Sequence, residues 1–299
     1  FREQSKSIYE LLGDHQTPMR LITDEPSVGV KFSDDDRLVL EPCVVEETSN
    51  VLETDFAQFC SRAIAQLESW HDDGAGSLTW IHSRGLYGAW DAPQQLRSEL
   101  LEEEDPEPLD IVEAPREIVA VEDPDQLLLY RTAYAAQLAV IDSCFGALAH
   151  SIEELMSDRE ALVMLTGSSG FALGEHGQIG GDDCRLHSER IHLPWLLHVC
   201  DDHVPRPRLR GLVQPADIQA TVLDWLGIET SPACDGQSIL PGLEGEAIAH
   251  RELAVAVGEQ QEQAIITPAW MLRRDSSAAT ELYVKPDDRW EHNNVAVRC

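Results

Sequence analysis

Residues 166–177 read T-G-S-S-G-F-A-L-G-E-H-G and directly follow the apolar run A-L-V-M-L at 161–165. A short apolar run that ends in a glycine-rich turn is typical of a buried parallel strand, which carries polar side chains to a crevice at the edge of a sheet. The stretch therefore predicts an α/β fold with a functional crevice at the carboxyl ends of its strands, near His82, Ser168 and Glu175.

The pattern before this strand predicts a long helix. Apolar residues recur at alternating spacings of four and three from Tyr134 through Leu138 to Leu155, which places them on one helix face. The helix is expected to run from about Pro124 to Met156. A helix of this length followed by a β-run is typical of a βαβ unit and a mainly parallel sheet.

The rest of the chain predicts a second, smaller part. From about residue 253, short β-runs at 253–257, 263–267 and 270–272 follow one another without helices, which favours an antiparallel sheet. We therefore expect an α/β domain over residues 1–250, with a mixed, mostly parallel sheet flanked by helices, and a small C-terminal β subdomain over residues 251–299. Residues 101–126, rich in Glu, Asp and Pro, are expected to form a solvated surface loop.

Charge and cysteine usage exclude several classes of partner. The chain has 54 acidic and 22 basic residues and a net charge of −32, so it repels nucleic acids and anionic membranes. No uninterrupted apolar run reaches about 18 residues, and no membrane span is predicted. Seven scattered cysteines without a C-x-x-C pair favour a reducing compartment such as the cytoplasm.

Several separated segments resemble, in order, motifs of the sulfatase family in the alkaline phosphatase superfamily. Residues 166–177 are similar to T-S-D-H-G-x-x-L-G-E-H-G, 130–142 to Y-x-A-x-V-x-x-x-D, and 187–194 to Y-E-E-x-I-R-V-P. Residues 235–241 resemble D-G-x-S-L-L-P, and 281–296 resemble the family's E-L-Y and N-L-A segments. The chain is identified by this resemblance as a sulfatase-family member, which implies an alkaline-phosphatase-like fold and sulfuric ester hydrolysis.

The resemblance also implies a nucleophile and a metal that residues 1–299 do not supply. The family uses a formylglycine matured within C/S-x-P-x-R and a calcium ion held by paired upstream Asp residues and the Asp of T-S-D-H-G. The motif and the upstream pair do not occur here, and the chain begins with Phe1, so we expect it to lack the N-terminal part of the fold. Ser168 and Ser169 stand where the family has its ligating Asp and His. Calcium is expected only if a missing N-terminal part completes a site.

The candidate site residues lie around the predicted crevice. His82, at a predicted strand end, is expected to bind a leaving-group oxygen or to hold the neighbouring loop. Glu175 and His176 belong to the G-E-H-G turn and either bind substrate or shape the backbone. Arg185, His187, Arg190 and His192 form a local cationic cluster, which either binds an anionic substrate, with Arg185 and His187 as candidates, or is a solvated face. No residue is assigned as catalytic.

Three hypotheses remain open. The first is a sulfate-ester hydrolase whose N-terminal part is missing, and the second is a catalytically inactive sulfatase-like binding or scaffolding module. Ser168, Ser169 and Asp183, which stands in place of a family lysine, motivate the second. The third is a phosphoryl-transfer relative in the same superfamily. For the first two, the expected partner is a sulfated small molecule or carbohydrate.

Overall fold

A computed structural model describes most of the chain as two compact units. It describes residues 6–28, 32–33, 35–42, 48–70, 76–116, 119–181, 185–200, 208–229, 235–243, 245, 251–258 and 261–298. The N-terminal unit contains residues 12–161 and 172–182, and the C-terminal unit contains residues 1–11, 162–171 and 183–299. The division expected near residue 250 and the missing N-terminal part stay predictions.

Helices and strands alternate through the first two thirds of the chain, and strands dominate the last third. The helices are α1 (Ile8–Asp14), α2 (Asp55–Trp70), α3 (Gln94–Ser98), α4 (Pro124–Leu155), α5 (Ser188–Ile191), α6 (Pro215–Trp225) and α7 (Leu240–Leu243). The strands are β1 (Met19–Thr23), β2 (Arg37–Val39), β3 (Leu78–His82), β4 (Val119–Ala120), β5 (Ala161–Thr166), β6 (Ala172–Leu173), β7 (Gln178–Gly180), β8 (Trp195–Cys200), β9 (Ala254–Val257), β10 (Gln263–Ile266), β11 (Trp270–Arg274) and β12 (Thr280–Val284). This order confirms the expected α/β class.

A parallel sheet in the N-terminal unit positions His82, one of the candidate site residues. Strand β1 lies between β2 and β3 and pairs in parallel with both. Its register sets Thr23 opposite His82 at the carboxyl ends of the two strands. Because side chains at paired positions of parallel strands share one face, this register by itself brings the hydroxyl and the imidazole together.

Helices α2 and α4 pack together in the core of the N-terminal unit, and the buried face of α4 differs from the predicted one. Leu138, expected on the core face, is 46% exposed, whereas Ala136, Val140 and Cys144 are buried. Small side chains let α4 approach Cys60 of α2 closely, so the helix turns its small residues inward. Burial raises the pKa of the Cys60 thiol to about 12, with a smaller contribution from Cys144.

Helix α4 is also the one helix of the described chain that is long and apolar enough to cross a membrane. That finding rests on length and composition alone, and core helices of soluble proteins have the same properties. Its Gln137 side chain, 1% exposed, bonds to the loop at Asp91 and Ala92. The helix therefore packs as part of a folded unit.

Arg97 fastens the acidic segment 101–126 to the N-terminal unit. Arg97, 3% exposed, donates to the carbonyl oxygens of Leu109 at 2.6 Å and Ile111 at 2.9 Å. Helix α4 begins at Pro124, inside the segment predicted as loop, because Asp123 caps it by accepting from the Asp125 N–H. Three carbonyl contacts in all, including Trp90, hold this guanidinium in the core.

The C-terminal unit carries the expected small antiparallel sheet, in the order β12-β11-β10-β9. Its inner face packs Ala264, Met271 and Tyr283 against Leu186. Strands β5 and β8 form a separate two-stranded sheet. Strand β8 starts directly after Pro194, since residues 188–191 form the single turn α5 and proline cannot donate to a ladder.

Candidate functional site

The carboxyl ends of β1 and β3 hold His82 in one orientation. Thr23 is fully buried, and its Oγ1 lies 2.9 Å from Nδ1 of His82. The same oxygen accepts from the backbone N–H of Glu25 at 3.0 Å, which fixes the hydroxyl. Nε2 of His82 has no hydrogen-bond partner among the residues that the structure describes. The ring is therefore oriented on one side and open to a ligand on the other.

An ionic cluster lies beside His82. Asp24, 6% exposed, accepts from the Ser83 hydroxyl and from the Arg84 N–H, both at 2.9 Å. The Arg84 guanidinium lies 3.9 Å from Asp24 Oδ2 through Nε and 3.6 Å from Asp55 Oδ2 through Nη2. Nε is buried and makes no hydrogen bond within the described part of the chain. Two carboxylates thus oppose one guanidinium, so the cluster adds no net positive charge beside His82.

The loop after β3 is tied to two helices through Asp91. This carboxylate, 5% exposed, accepts from the Asp55 N–H at 2.6 Å, at the N-terminus of α2, where the helix dipole favours negative charge. It also accepts from Gln137 of α4 at 3.3 Å, and Gln137 in turn accepts from the Ala92 N–H at 2.8 Å. These bonds fasten the loop that follows His82 and Arg84 to helices α2 and α4.

The G-E-H-G turn, which joins β6 to β7, is shaped by its own side chains. The Glu175 carboxylate accepts from the Leu173 N–H at 2.7 Å, and Gly174 and Gly177 adopt positive φ angles of 91° and 71°. The positive φ at Gly174 is a conformation that side chains rarely adopt, and a Cβ there would also lie 2.3 Å from a Leu127 methyl carbon, so the turn favours glycine. Glu175 therefore holds the backbone, and His176 lies next to it in the same turn.

The serines of the 166–177 motif lie after β5 in the C-terminal unit. Ser168 is exposed, and the Ser169 hydroxyl donates to the Gly170 carbonyl at 3.4 Å. At Gly170 a Cβ would lie 1.9 Å from the Glu189 carbonyl oxygen, which is why the loop can rest against α5. Two neutral hydroxyls, one turned to its own backbone, do not fit calcium, which requires charged oxygen ligands. Asp183 lies outside the described residues.

His187 belongs to a buried network in the C-terminal unit. It is 2% exposed, and its Nδ1 lies 3.1 Å from Oε2 of Glu291, which is also 2% exposed. Glu291 accepts in addition from the Ser188 N–H at 2.9 Å, from the Ser188 hydroxyl and from the Lys285 ammonium. Burial alone would raise the pKa of Glu291, but the bonds from His187, Lys285 and Ser188 outweigh it and lower the pKa to about 2. Arg185, by contrast, is exposed.

The predicted site residues fall into the two units. His82, Glu175 and His176 lie in the N-terminal unit, and Ser168, Ser169, Arg185 and His187 lie in the C-terminal unit. The crevice expected between His82, Ser168 and Glu175 stays a prediction, as do the binding roles of these residues.

Sequence reasoning missed the charged groups that lie near His82 and bond to His187. Asp24 directly follows β1 and Arg84 lies two residues after the end of β3, positions that could have marked them as site residues. Glu291 carries no comparable signal, because it is one acidic residue among 54 and lies 104 positions from His187 along the chain.

Comparison by sequence finds two relatives with partial matches. The chain is 29% identical over 125 residues to the multifunctional alkaline phosphatase superfamily protein PehA of Trinickia caryophylli, a match that covers 40% of this chain and 23% of PehA. It is 26% identical over 117 residues to an N-acetylglucosamine-6-O-sulfatase of Bacteroides thetaiotaomicron, covering 39% of this chain and 21% of that protein. The aligned parts thus span less than a quarter of either relative. No family model matches the chain.

Comparison by structure covers nearly the whole chain. The phosphonate monoester hydrolase of Agrobacterium radiobacter superimposes with a TM-score of 0.70 over 98% of this chain and 76% of its own, at 14% identity. The protein BT4656, solved in complex with its substrate D-glucosamine-2-N,6-O-disulfate, superimposes with a TM-score of 0.64 over 99% of this chain and 78% of its own, at 15% identity. Similarity at these identities establishes the fold, which is alkaline-phosphatase-like. The sequence relatives and structural neighbours of the chain are sulfatases and phosphonate monoester hydrolases of the alkaline phosphatase superfamily.

Proposed function

We propose that the chain carries part of the ester-binding site of a sulfuric ester hydrolase, with His82 as the contact to the leaving-group oxygen. The observation that carries the proposal is the Thr23–His82 pair, which orients the ring at the carboxyl end of a parallel sheet and leaves Nε2 open. Ligands of open α/β sheets bind at this edge. The proposed ligand is a sulfated carbohydrate or small molecule, as the names of the sulfatase relative and of the BT4656 complex suggest.

The chemistry proposed for His82 is a hydrogen bond from Nε2 to the bridging ester oxygen. When the Thr23 hydroxyl donates to Nδ1, the neutral ring carries its proton on Nε2 and can donate it to oxygen. Asp24 and Asp55 offset the charge of Arg84, so this guanidinium positions the loop more than it attracts an anion. Affinity for the sulfate group must then come mainly from neutral donors.

We propose further that residues 1–299 bind such an ester without hydrolysing it. They contain no C/S-x-P-x-R motif, and the hydroxyls of Ser168 and Ser169 do not supply the charge that a calcium ion requires. This is the inactive binding module of the second hypothesis, for the chain as it stands. Additional residues that supply the nucleophile and the metal ligands would convert the same site into that of a hydrolase.

A phosphonate monoester is a second candidate ligand. The matches to PehA and to the Agrobacterium hydrolase favour it. Like a sulfate monoester, a phosphonate monoester carries a single negative charge and one bridging oxygen, so the contact proposed for Nε2 is the same. The two ligand classes therefore have to be compared on one protein.

Titration with N-acetylglucosamine 6-sulfate and with phenyl methylphosphonate, followed by calorimetry and by the histidine ring signals in NMR, tests the proposal. We expect the His82 signal to move with the preferred ligand and His82→Ala to weaken binding at least about tenfold, or about 1.4 kcal/mol. His150→Ala is the matched control, because His150 lies in an exposed pair with Glu154 on α4. Absence of binding by the wild-type chain, or equal binding by His82→Ala, would refute the role of His82.

Turnover separates binding from hydrolysis in the same samples. We expect no release of nitrophenol from 4-nitrophenyl sulfate or 4-nitrophenyl phenylphosphonate. Release that persists in His82→Ala but disappears in Ser168→Ala would replace the binding module with serine-dependent chemistry.

A further inference from the structure

Strand β3 presents Trp80 and His82 on the same face. Side chains alternate along a strand, so these two point to one side and Ile81 points to the other. Ile81 packs against the buried cluster that contains Ala63 of α2 and Val140 of α4. The face with Trp80 and His82 is therefore the one turned away from these helices.

Trp80 is exposed although the residue opposite it in the sheet is buried. It is 42% exposed, whereas Leu21, opposite it on β1, is 2% exposed. Strand β3 is the outer strand in the order β2-β1-β3, so the indole has a neighbouring strand on one side only among the strands described. On the order of 100 Å² of its surface remains in water. A single exposed apolar side chain is common, and what distinguishes Trp80 is its position beside His82.

A ligand at His82 needs contacts that do not depend on positive charge. The chain carries a net charge of −32, and Asp24 and Asp55 offset the guanidinium of Arg84. One hydrogen bond from the neutral imidazole of His82 changes an affinity by about tenfold or less. The sugar ring of a carbohydrate sulfate is uncharged and is not repelled by the acidic chain. Further affinity can therefore come from contact between this ring and a neutral side chain.

We propose that the sugar ring of a carbohydrate sulfate stacks on the indole of Trp80 while its ester oxygen contacts Nε2 of His82. The inference rests on the proposed function and narrows its ligand from sulfated molecules in general to carbohydrate sulfates. The face of an indole carries negative charge density and attracts the slightly positive C–H groups of a sugar ring. Trp80 is thus a specificity-determining residue, and covering its exposed surface is sufficient for more than about tenfold in affinity.

The spacing of the two rings suits a single sugar residue. Consecutive residues of a parallel strand advance about 3.3 Å, so the Cα atoms of Trp80 and His82 lie about 6.6 Å apart. In a hexose 6-sulfate one exocyclic carbon joins the ester oxygen to the sugar ring. An ester held at Nε2 of His82 therefore places that ring beside the neighbouring side chain of the same face. A sulfate ester of a short alkyl chain would reach His82 but leave the indole in water.

NMR titration of the 299-residue chain with N-acetylglucosamine 6-sulfate and with ethyl sulfate, which carries the same ester without a sugar ring, tests the proposal. We expect Trp80→Ala to weaken binding of the sugar sulfate at least about tenfold and to leave the affinity for ethyl sulfate unchanged. Trp270→Ala is the matched control, because Trp270 is 41% exposed and lies on the sheet of the C-terminal unit. It should change neither affinity, and His82→Ala should weaken both.

A measurement on the wild-type chain covers the case in which Trp80→Ala does not fold. The indole N–H signal of Trp80, identified by its loss in Trp80→Phe, should move with the sugar sulfate. Saturation of the indole protons should also transfer to the protons of the sugar ring. Trp80→Phe keeps a smaller aromatic face and should retain part of the affinity.

The outcomes separate this inference from the role of His82. Equal affinity of the wild type and Trp80→Ala for the sugar sulfate would overturn the stacking role and leave the His82 contact intact. Equal weakening of both ligands by Trp80→Ala would also overturn it, since the loss would not depend on the sugar. Binding that requires Trp80 but not His82 would refute the ester contact and support the stacking role. Absence of binding of either ligand by the wild-type chain would overturn both.

Discussion

His82 in the N-terminal unit and His187 in the C-terminal unit are both held through Nδ1, but by partners of different chemistry. His82 contacts the neutral hydroxyl of Thr23 and remains partly exposed. His187 contacts the carboxylate of Glu291, and both of these side chains are almost fully buried. A buried charged group that loses its partner is strongly destabilising, whereas a hydroxyl partner orients a ring without fixing its charge.

The difference separates a histidine suited to binding from one that holds the fold. The Glu291 network joins Ser188, at the start of α5, to Lys285, after β12, and so links distant parts of the C-terminal unit. The Thr23–His82 pair adds no comparable long-range link beyond the sheet register. We therefore expect changes at Glu291 to affect the free energy of unfolding and changes around His82 to affect ligand binding.

The largest expected effect is that of Glu291→Ala. It leaves the His187 ring and the Lys285 ammonium without their shared carboxylate in a buried site, which should cost about 3–5 kcal/mol of the free energy of unfolding. Urea denaturation followed by circular dichroism measures the loss. Glu154→Ala is the control, since its pair with His150 is exposed and should contribute less than about 0.5 kcal/mol. Similar losses in the two variants would contradict a structural role for the network.

Acid should weaken the same network more gradually. The pKa of Glu291 is lowered to about 2 in the folded chain from an ordinary value of 4.5, so the unfolded chain binds this proton more readily. Its contribution is complete above pH 4.5 and is lost as the pH falls from about 4.5 to about 2. The free energy of unfolding should decrease more steeply over this range in the wild type than in Glu291→Gln. Parallel pH profiles would show that the carboxylate is not the titrating group.

Much of the fold follows from local sequence signals. The start of α4 at Pro124 was predictable, because caps, prolines and apolar spacing act within a few residues. The face that α4 buries was not. Periodicity placed Leu138 in the core, but the small residues of α2 and α4 decide how closely the helices approach. Strand β12 was also missed, since its evidence lies in pairing with β11.

The candidate site was predictable only where a strand end marked it. His82 is the last residue of β3, so its position at the carboxyl edge of the sheet followed from the apolar run that ends there. Its partner Thr23 lies 59 residues away, and the two meet only through the register of two parallel strands. The serines at 168 and 169 were assigned by resemblance, and the expectation that they do not form a calcium site stays a prediction.

The smallest expected effect is that of Thr23→Val, which tests whether Thr23 orients the His82 ring. Thr23→Val removes a fully buried hydroxyl that contacts His82 Nδ1 and accepts from the Glu25 N–H, which should cost about 1–2 kcal/mol of the free energy of unfolding. Because the ring then loses its orienting contact, affinity for the preferred ester should fall by a few-fold, less than in His82→Ala. Thr23→Ser keeps the hydroxyl and should preserve both the affinity and the NMR titration of His82. If Thr23→Val lowers stability but leaves that titration and the affinity unchanged, Thr23 supports the sheet alone, and His82 is oriented by something other than this bond.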